Sequence, residues 1–586
     1  MLLFFKDFMI GCSKEERTKK MSQTKYLITS ALPYINGLPH LGHMVGCLLP
    51  SDVYARFLRA MGEDVLYICG TDEHGTASEV AALKANVPIQ DYCDDFHKKH
   101  AEMYKAFNLS FDYFGRTSTE QNKEITYRIF NALDKNGFIG EKTIKQIFSI
   151  DDNQFLADRY ITGTCPYCGY EKARGDQCEN CTKVLNPTDL INPKSTISGS
   201  TRLEIRETRH LFIQLQKLQP QLEKWLVTKE FTWPDVAYSI AQKWMKEGLQ
   251  ERCITRDLKW GFPVPKEGYE NKVFYVWFDA PIGYIGITKQ WADEDPEHRD
   301  WKSWWLDAPD VKHVEFMGKD NVPYHTVTFP GQLLGTGENW TQVDFLKGMS
   351  YLTFNGGKFS KSEHIGVFVD DAIQEFPADY WRYWLMANAP ESSDSSFTFE
   401  AFANTINKDL NDVLGNFINR VMKMTAANFA SVVPEGGEET PEETSLYAKM
   451  DTMVSDYTNY LKKLEFRKAF AVLREIWVEG NNYIARTEPW KMAKTDKQRA
   501  AYILRTGLNL IRAFAILSAP IMPTKSKEIL ELVKQPESTG WLTQPMAKEL
   551  TFLKAGDALG EAKLLFSKIL PEQVAELTVK YKEQKD

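Results

Sequence analysis

The sequence predicts an α/β protein, with a parallel sheet split by a cysteine-bearing insertion and then an all-α bundle. Three observations predict it. Short apolar runs end in glycine-rich polar punctuation, the pattern of buried parallel strands whose carboxyl ends collect ligands. Two Cys-x-x-Cys pairs interrupt those runs within a charged, loop-rich stretch. From about Phe402 onward, apolar residues recur at helical spacing instead.

Tyr26-Leu27-Ile28-Thr29 is the first strand, and Ala31 to Met44 (ALPYINGLPHLGHM) is the loop that leaves it. Pro33, Asn36, Gly37 and Pro39 prevent regular structure there, after which His40 and His43 fall three apart and face one way on a first helical turn. A helix start favours phosphate through its unsatisfied amides. Its dipole contributes only about 0.3 to 1 kcal/mol, so the histidines must add specific contacts where charge develops. The competing reading makes them surface or satisfied core groups.

Val45, Leu49, Val53 and Phe57 then recur every four residues, as in a helix lying on a sheet, and Pro50 predicts a kink or boundary inside it. The run Asp64-Val-Leu-Tyr-Ile-Cys69 reads as a buried parallel strand that ends in Gly70-Thr71-Asp72-Glu73-His74-Gly75. Asp72 is a ligand candidate there, with a cap or turn aspartate as the alternative. The charged, loop-rich stretch runs from Arg116 to about Lys272 and holds Cys165, Cys168, Cys178 and Cys181 within 17 residues. Two such knuckles supply tetrahedral zinc ligands, and apparent binding free energies of about 10 to 16 kcal/mol can hold together a module with little core. A redox role competes, but redox motifs are rarely doubled at this spacing.

Strands are expected again at Val273–Trp277 and Val314–Met317, ending in Phe278–Tyr284 and Gly318–Asn321. A lysine-serine loop, Lys358-Phe359-Ser360-Lys361-Ser362, follows Gly356-Gly357. In the bundle, Phe402, Ile406, Leu410, Val413, Phe417, Val421 and Met424 form one stripe, 433–444 is a polar loop, and further stripes run from Leu446 to Trp477 and from Tyr502 to Leu517.

At 586 residues the chain exceeds one core, and three or four domains are expected. No apolar run approaches the ~18 residues of a membrane span. The opening MLLFFKDFMIGC is short and broken by Lys6 and Asp7, so no signal peptide is expected, and Met21 offers a second start. Residues 1–20 are expected to be a disordered or untranslated extension. With a net charge of −8, nucleic-acid contact must come from local basic patches. Cys12, Cys47, Cys69, Cys93 and Cys253 are scattered without a disulfide-like pattern, which predicts a reducing, cytoplasmic setting.

Pro39-His40-Leu41-Gly42-His43, paired with the lysine-serine loop, resembles the HIGH and KMSKS signatures of class I aminoacyl-tRNA synthetases, with Leu for Ile and Phe for Met. Within that class the similarity is closest to the methionyl-tRNA synthetase family. It rests on Ala31-Leu32-Pro33-Tyr34-x-Asn36-Gly37, on Phe274-Tyr-Val-Trp277-x-Asp279-Ala-Pro281-Ile-Gly-Tyr284, on Gly318-Lys319-Asp320 with His325, and on Glu488-Pro489-Trp490. It spans Tyr26 to about Lys568.

The resemblance implies a Rossmann-like catalytic domain (21–120 and 273–349) and a zinc-binding connective insertion (121–272). A KMSKS-like loop with a stem-contact region (350–401), an anticodon-binding helical bundle (402–565) and a tail (566–586) would follow. It implies activation of methionine by ATP to methionyl-adenylate, then transfer to the 3' end of tRNA(Met), initiator and elongator. His40, His43, Lys358 and Lys361 would serve the phosphates, with Mg2+ carried by ATP and Asp320 near a ribose hydroxyl or the acceptor end. Leu32, Tyr34, Asp72, Trp277, Pro281, Tyr284, Asn321, His325 and Phe329 would form the methionine pocket, with Asn321 standing where most of the family has an isoleucine-like residue. Asn416, Arg420 and Trp490 would read the anticodon, although Trp490 could also be a core plug. One structural Zn2+ would sit on the four clustered cysteines. The family's dimerising appendix is not matched, so a monomer is expected. The rivals are a small adenylyltransferase of the same fold, which would lack the insertion and bundle, and a catalytically silent tRNA-binding paralogue, which would have damaged signatures.

Overall fold

The computed structural model describes residues 23–582 apart from 176, 177, 179, 182, 184, 231, 360–364, 538 and 539. The expectation for residues 1–20 therefore lies outside the described residues. The central sheet has five parallel strands, β1 (Lys25–Ser30), β2 (Asp64–Thr71), β3 (Tyr113–Arg116), β4 (Val311–Gly318) and β5 (Val343–Met349), in the spatial order β5-β4-β1-β2-β3. The chain builds outward from β1 to β3 and then returns to the other side of β1. A crevice opens at the carboxyl ends of β1 and β4, where the order reverses. Leu27 and Ile28 point to opposite faces and are both fully buried, which is why the strand reads as a continuous apolar run.

The helix that starts at Leu41 widens to a π turn over Met44–Leu48 before α1 (Leu49–Ala60). Pro50 sits in the first turn of α1. The boundary expected near it is thus a change of helix type. A π turn absorbs an extra residue, and the wider turn accommodates a proline that lacks an N-H and would crowd the preceding carbonyl.

One expected strand is wrong. Only Val273–Phe274 is extended, pairing antiparallel with Thr255–Arg256, and α2 runs over Val276–Asp293. This helix is buried almost all round, so its sequence has no polar stripe and matches a buried strand in periodicity. Gly283 and Gly286 let it seat closely, since a Cβ at those positions would lie 2.9 Å from Thr117 and 2.6 Å from Asn122. The stretch 116–272 is also more ordered than expected. Its first helix, Glu120–Lys135, packs on α2. Beyond it, Ile139–Ser149 and Leu203–Ile213 pair antiparallel along their whole length and carry a small three-stranded sheet with the cysteine knuckles.

After α3 (Ala378–Ala387), Phe399–Thr405, a π stretch over Ile406–Gly415 and α4 (Asn416–Phe429) form one helical run. The π stretch shifts its phase, so Leu414 and Met422 are buried while Val413 and Met424 are only half-buried. Helices Pro441–Lys462, Phe466–Thr487 and Lys497–Ser518 complete the bundle core. The polar loop ends earlier than expected, at Pro441. Lys497–Ser518 is by length and mean hydropathy apolar enough to cross a membrane, although charged and polar residues interrupt it, and 94% of its apolar window is buried inside the protein.

Candidate active site

At the end of β1, His40 caps the helix start. Its Nδ1 accepts from the Gly42 N-H at 3.1 Å, while His43 Nδ1 accepts from the His40 N-H at 3.2 Å. The two rings lie 3.8 Å apart. Because each Nδ1 is an acceptor, each neutral ring carries its proton on Nε2. Gly42 makes this possible, as a Cβ there would lie 3.0 Å from the His40 ring. Phe359 of the lysine-serine loop stacks on His40 at 4.6 Å. Lys358 is exposed next to it, and Lys361 lies outside the described residues. Asp320 accepts a hydrogen bond from the Tyr351 hydroxyl. Burial raises its carboxyl, against the lowering charges of Lys319 and Lys358.

Deeper in the crevice, Leu32, Tyr34, Asp72, Trp277, Pro281, Tyr284, Asn321 and His325 line one pocket, together with Ala31 and Ala280. Both alanines stand within the motifs around Leu32 and Pro281, but their methyl side chains offer a ligand no polar contact. Phe329 is not in this wall but packs behind Tyr284 at 6.2 Å. Trp277 stacks on Tyr324 at 4.0 Å and meets Tyr34 edge-on at 6.4 Å. Burial holds the His325 imidazole down to about 4. The ring is therefore neutral near pH 7, donating from Nδ1 to the Asn321 carbonyl and accepting from the Tyr284 hydroxyl at Nε2, both at 3.0 Å.

Three buried acids gather beside the pocket. Glu73 is committed to Arg116 at 2.8 Å, to Thr71 at 2.7 Å and to Ser118. Asp279 binds His74 at 2.5 Å. Asp72 alone of the three lines the pocket, and among the described residues its Oδ1, like that of Asp279, has no hydrogen-bond partner. Its backbone is fixed by a bond from its N-H to the Pro33 carbonyl at 3.0 Å. Burial pushes its carboxyl well up, and Asp279 and Glu73 add to the shift. Such a carboxylate suits a cationic ligand, which would supply the missing partner.

In the insertion, the Sγ atoms of Cys165, Cys168, Cys178 and Cys181 all lie within 4.8 Å of one another, with close pairs at 3.8 and 3.6 Å. Four thiolates about 2.3 Å from a tetrahedral zinc would stand roughly 3.8 Å apart, so the set fits that ion. The Tyr170 backbone and the Asn180 amide lower the Cys168 thiol, while the neighbouring sulfurs raise that of Cys181. In the bundle, Asn416 and Arg420 lie one turn apart on α4, and the Arg420 guanidinium covers the Trp490 ring at 5.4 Å. Trp490 is 39% exposed, which excludes the core-plug alternative.

A family model described as tRNA synthetases class I (M) matches residues 26–422, and one described as the anticodon binding domain of methionyl tRNA ligase matches 433–586. The chain belongs to the class I methionyl-tRNA synthetase family. The methionine--tRNA ligase of Streptomyces avermitilis is 53% identical over 560 residues, covering 94% of this chain and 98% of that protein. Methionine--tRNA ligase 1 of Acaryochloris marina is 51% identical over 557 residues, covering 95% and 99%. A solved Mycobacterium tuberculosis methionyl-tRNA synthetase, in complex with methionyl-adenylate, has the same fold, with a TM-score of 0.75 at 24% identity over 93% of this chain and all of that one. The two methionyl-tRNA synthetase models divide between 422 and 433, where α4 gives way to the loop before Pro441.

Proposed function

We infer that the chain is a methionine--tRNA ligase, joining methionine and ATP into methionyl-adenylate and pyrophosphate and then esterifying tRNA(Met), initiator and elongator. The observation that carries this reading is a buried carboxylate, Asp72, whose Oδ1 has no partner among the described residues, in an aromatic pocket at the same sheet crevice as the paired histidines. The Asp72 carboxylate binds the amino acid's ammonium, and Trp277, Tyr284 and Tyr34 offer ring edges to a polarizable thioether. Leu32, Pro281, Asn321 and His325 complete the pocket, with Phe329 supporting it from behind. The methionine carboxylate then attacks the α-phosphate in line, a step that asks for positioning and charge stabilisation rather than covalent help from the protein. Nε2-H donors of His40 and His43 face the phosphates, Lys358 and Lys361 steady the departing pyrophosphate, and Asp320 serves the ribose or the acceptor end. Mg2+ would accompany the ATP phosphates. One structural Zn2+ would be held by Cys165, Cys168, Cys178 and Cys181. Asn416, Arg420 and Trp490 read the anticodon.

The division of labour follows from the resemblance: catalysis at 21–120 and 273–349, the insertion at 121–272, the loop and stem contact at 350–401, the bundle at 402–565 and a tail at 566–586. The enzyme works as a cytoplasmic monomer, in keeping with thiolates that must stay reduced to hold zinc.

Exchange of labelled pyrophosphate into ATP, run with each of the twenty amino acids and no tRNA, tests the reading. Methionine alone is expected to support exchange. Exchange with a different amino acid would overturn the substrate, and a folded protein with no exchange would favour the silent paralogue. A chelator is expected to release one zinc ion and abolish protection from proteolysis at 165–181 while the parallel sheet stays folded. Trp490→Ala is expected to reduce tRNA charging by about 1 to 3 kcal/mol, the typical contribution of one base stack. Exchange should be unchanged, and equal losses in both assays would remove Trp490 from anticodon reading.

A further inference from the structure

One guanidinium joins the signature helix to the bundle. Arg382 of α3 is wholly buried and uses all five of its N-H donors. Nε donates to the Ile521 carbonyl at 2.8 Å, and Nη1 to the Phe107 and Asn108 carbonyls at 3.3 and 3.2 Å. Nη2 donates to the Pro520 carbonyl at 2.9 Å and to the Asp52 carboxylate at 2.6 Å. Asp52, on α1 and equally buried, also accepts from Arg56 at 2.9 Å and from the Ser110 amide and hydroxyl at 2.6 Å each. Burial works to raise the Asp52 carboxyl, but the charges of Arg56 and Arg382 outweigh it and keep it ionised.

Four segments that are remote in sequence meet at this group: α1, the 107–110 turn, α3, and the 520–521 turn between bundle helices Lys497–Ser518 and Pro523–Leu532. Stability is a weak reason for such a pair, because well-packed apolar residues of similar volume are often as good or better. A planar fork differs in fixing direction as well as distance. On one side α1 runs back through the π turn to His43 and His40. On the other, the bundle carries Arg420 and Trp490.

We propose that Arg382 and Asp52 are positioning residues that hold α1 in register with the tRNA-reading bundle, so that anticodon contact is felt at the charging step. The proposal rests on the methionine--tRNA ligase reading. Coupling over such distances is carried by packed, hydrogen-bonded elements that move as units, and this guanidinium is the charged tie between the two units, beside the Trp541 N-H to the Ala60 carbonyl at 2.8 Å and the Phe57–Trp541 ring contact.

The test uses the full chain as Asp52→Leu/Arg382→Met, an apolar replacement expected to fold, and as Arg382→Lys, which keeps the charge but loses the fork. Methionine-dependent pyrophosphate exchange is expected to stay within about twofold of the parent. Turnover in charging tRNA(Met) is expected to fall roughly tenfold in the double variant, and preference for the native anticodon over an altered one to shrink by a similar factor. Arg382→Lys should fall between, and it is read the same way if the double variant does not fold. A folded variant that charges and discriminates like the parent overturns the proposal, as does one that loses exchange and charging in equal proportion. Lack of exchange in the parent protein would instead refute the ligase reading.

Discussion

Asp72→Asn is expected to lower kcat/KM for methionine by about 2 to 5 kcal/mol, roughly 30-fold to several thousand-fold, because it removes one partner of a buried charge pair. The parent should also show a pH dependence that the variant lacks. Burial and neighbouring acids raise the Asp72 carboxyl in the empty pocket, and the ammonium binds the ionised form. Methionine binding therefore releases a proton, and affinity rises as pH climbs through the raised value. Calorimetry in buffers of differing ionisation enthalpy measures that proton, and an unchanged count in Asp72→Asn would remove the assignment. Folding gives an independent control. An acid whose carboxyl is raised on folding opposes folding above its unfolded-state value, where folding must either take up a proton or bury the charge. The amide variant should thus be at least as heat-stable as the parent near pH 7.

Lys361→Ala is expected to slow adenylate formation about 10^2- to 10^3-fold while leaving methionine affinity unchanged, since its contact strengthens only as pyrophosphate departs. Pre-steady-state ATP consumption, set against equilibrium methionine binding, separates the two effects. A parallel loss in both would assign Lys361 to ground-state binding instead. Lys358→Ala supplies the comparison within the same loop.

The features most legible in the sequence are those in which one residue type has one physical use. Four cysteines at knuckle spacing come together at sulfur separations that suit zinc, and two histidines three apart bring their rings together at a helix start. Burial hides other features. α2 and the strands are both buried nearly all round, so periodicity does not tell them apart, and the strand expected at Val273–Trp277 stops at Phe274 and gives way to α2. The pairing of Glu73 with Arg116 and of Asp279 with His74, which leaves Asp72 as the pocket acid, depends on contacts across 43 and 205 residues of sequence. No local pattern encodes them. Ala31 and Ala280 matter through the room they leave, which composition does not register.

The widened turn at Met44–Leu48 acts as a phase shifter. An α-helix advances about 100° per residue, so one extra residue rotates the face bearing His40 and His43 against the face bearing Val53 and Phe57. Two obligations are thereby uncoupled. The later face can bed into the sheet wherever apolar packing dictates, while the earlier one is aimed at the crevice on its own account. Shortening the turn by a single residue would bring the two faces back into step, so that seating the helix would turn the histidines away, and aiming the histidines would unseat the helix.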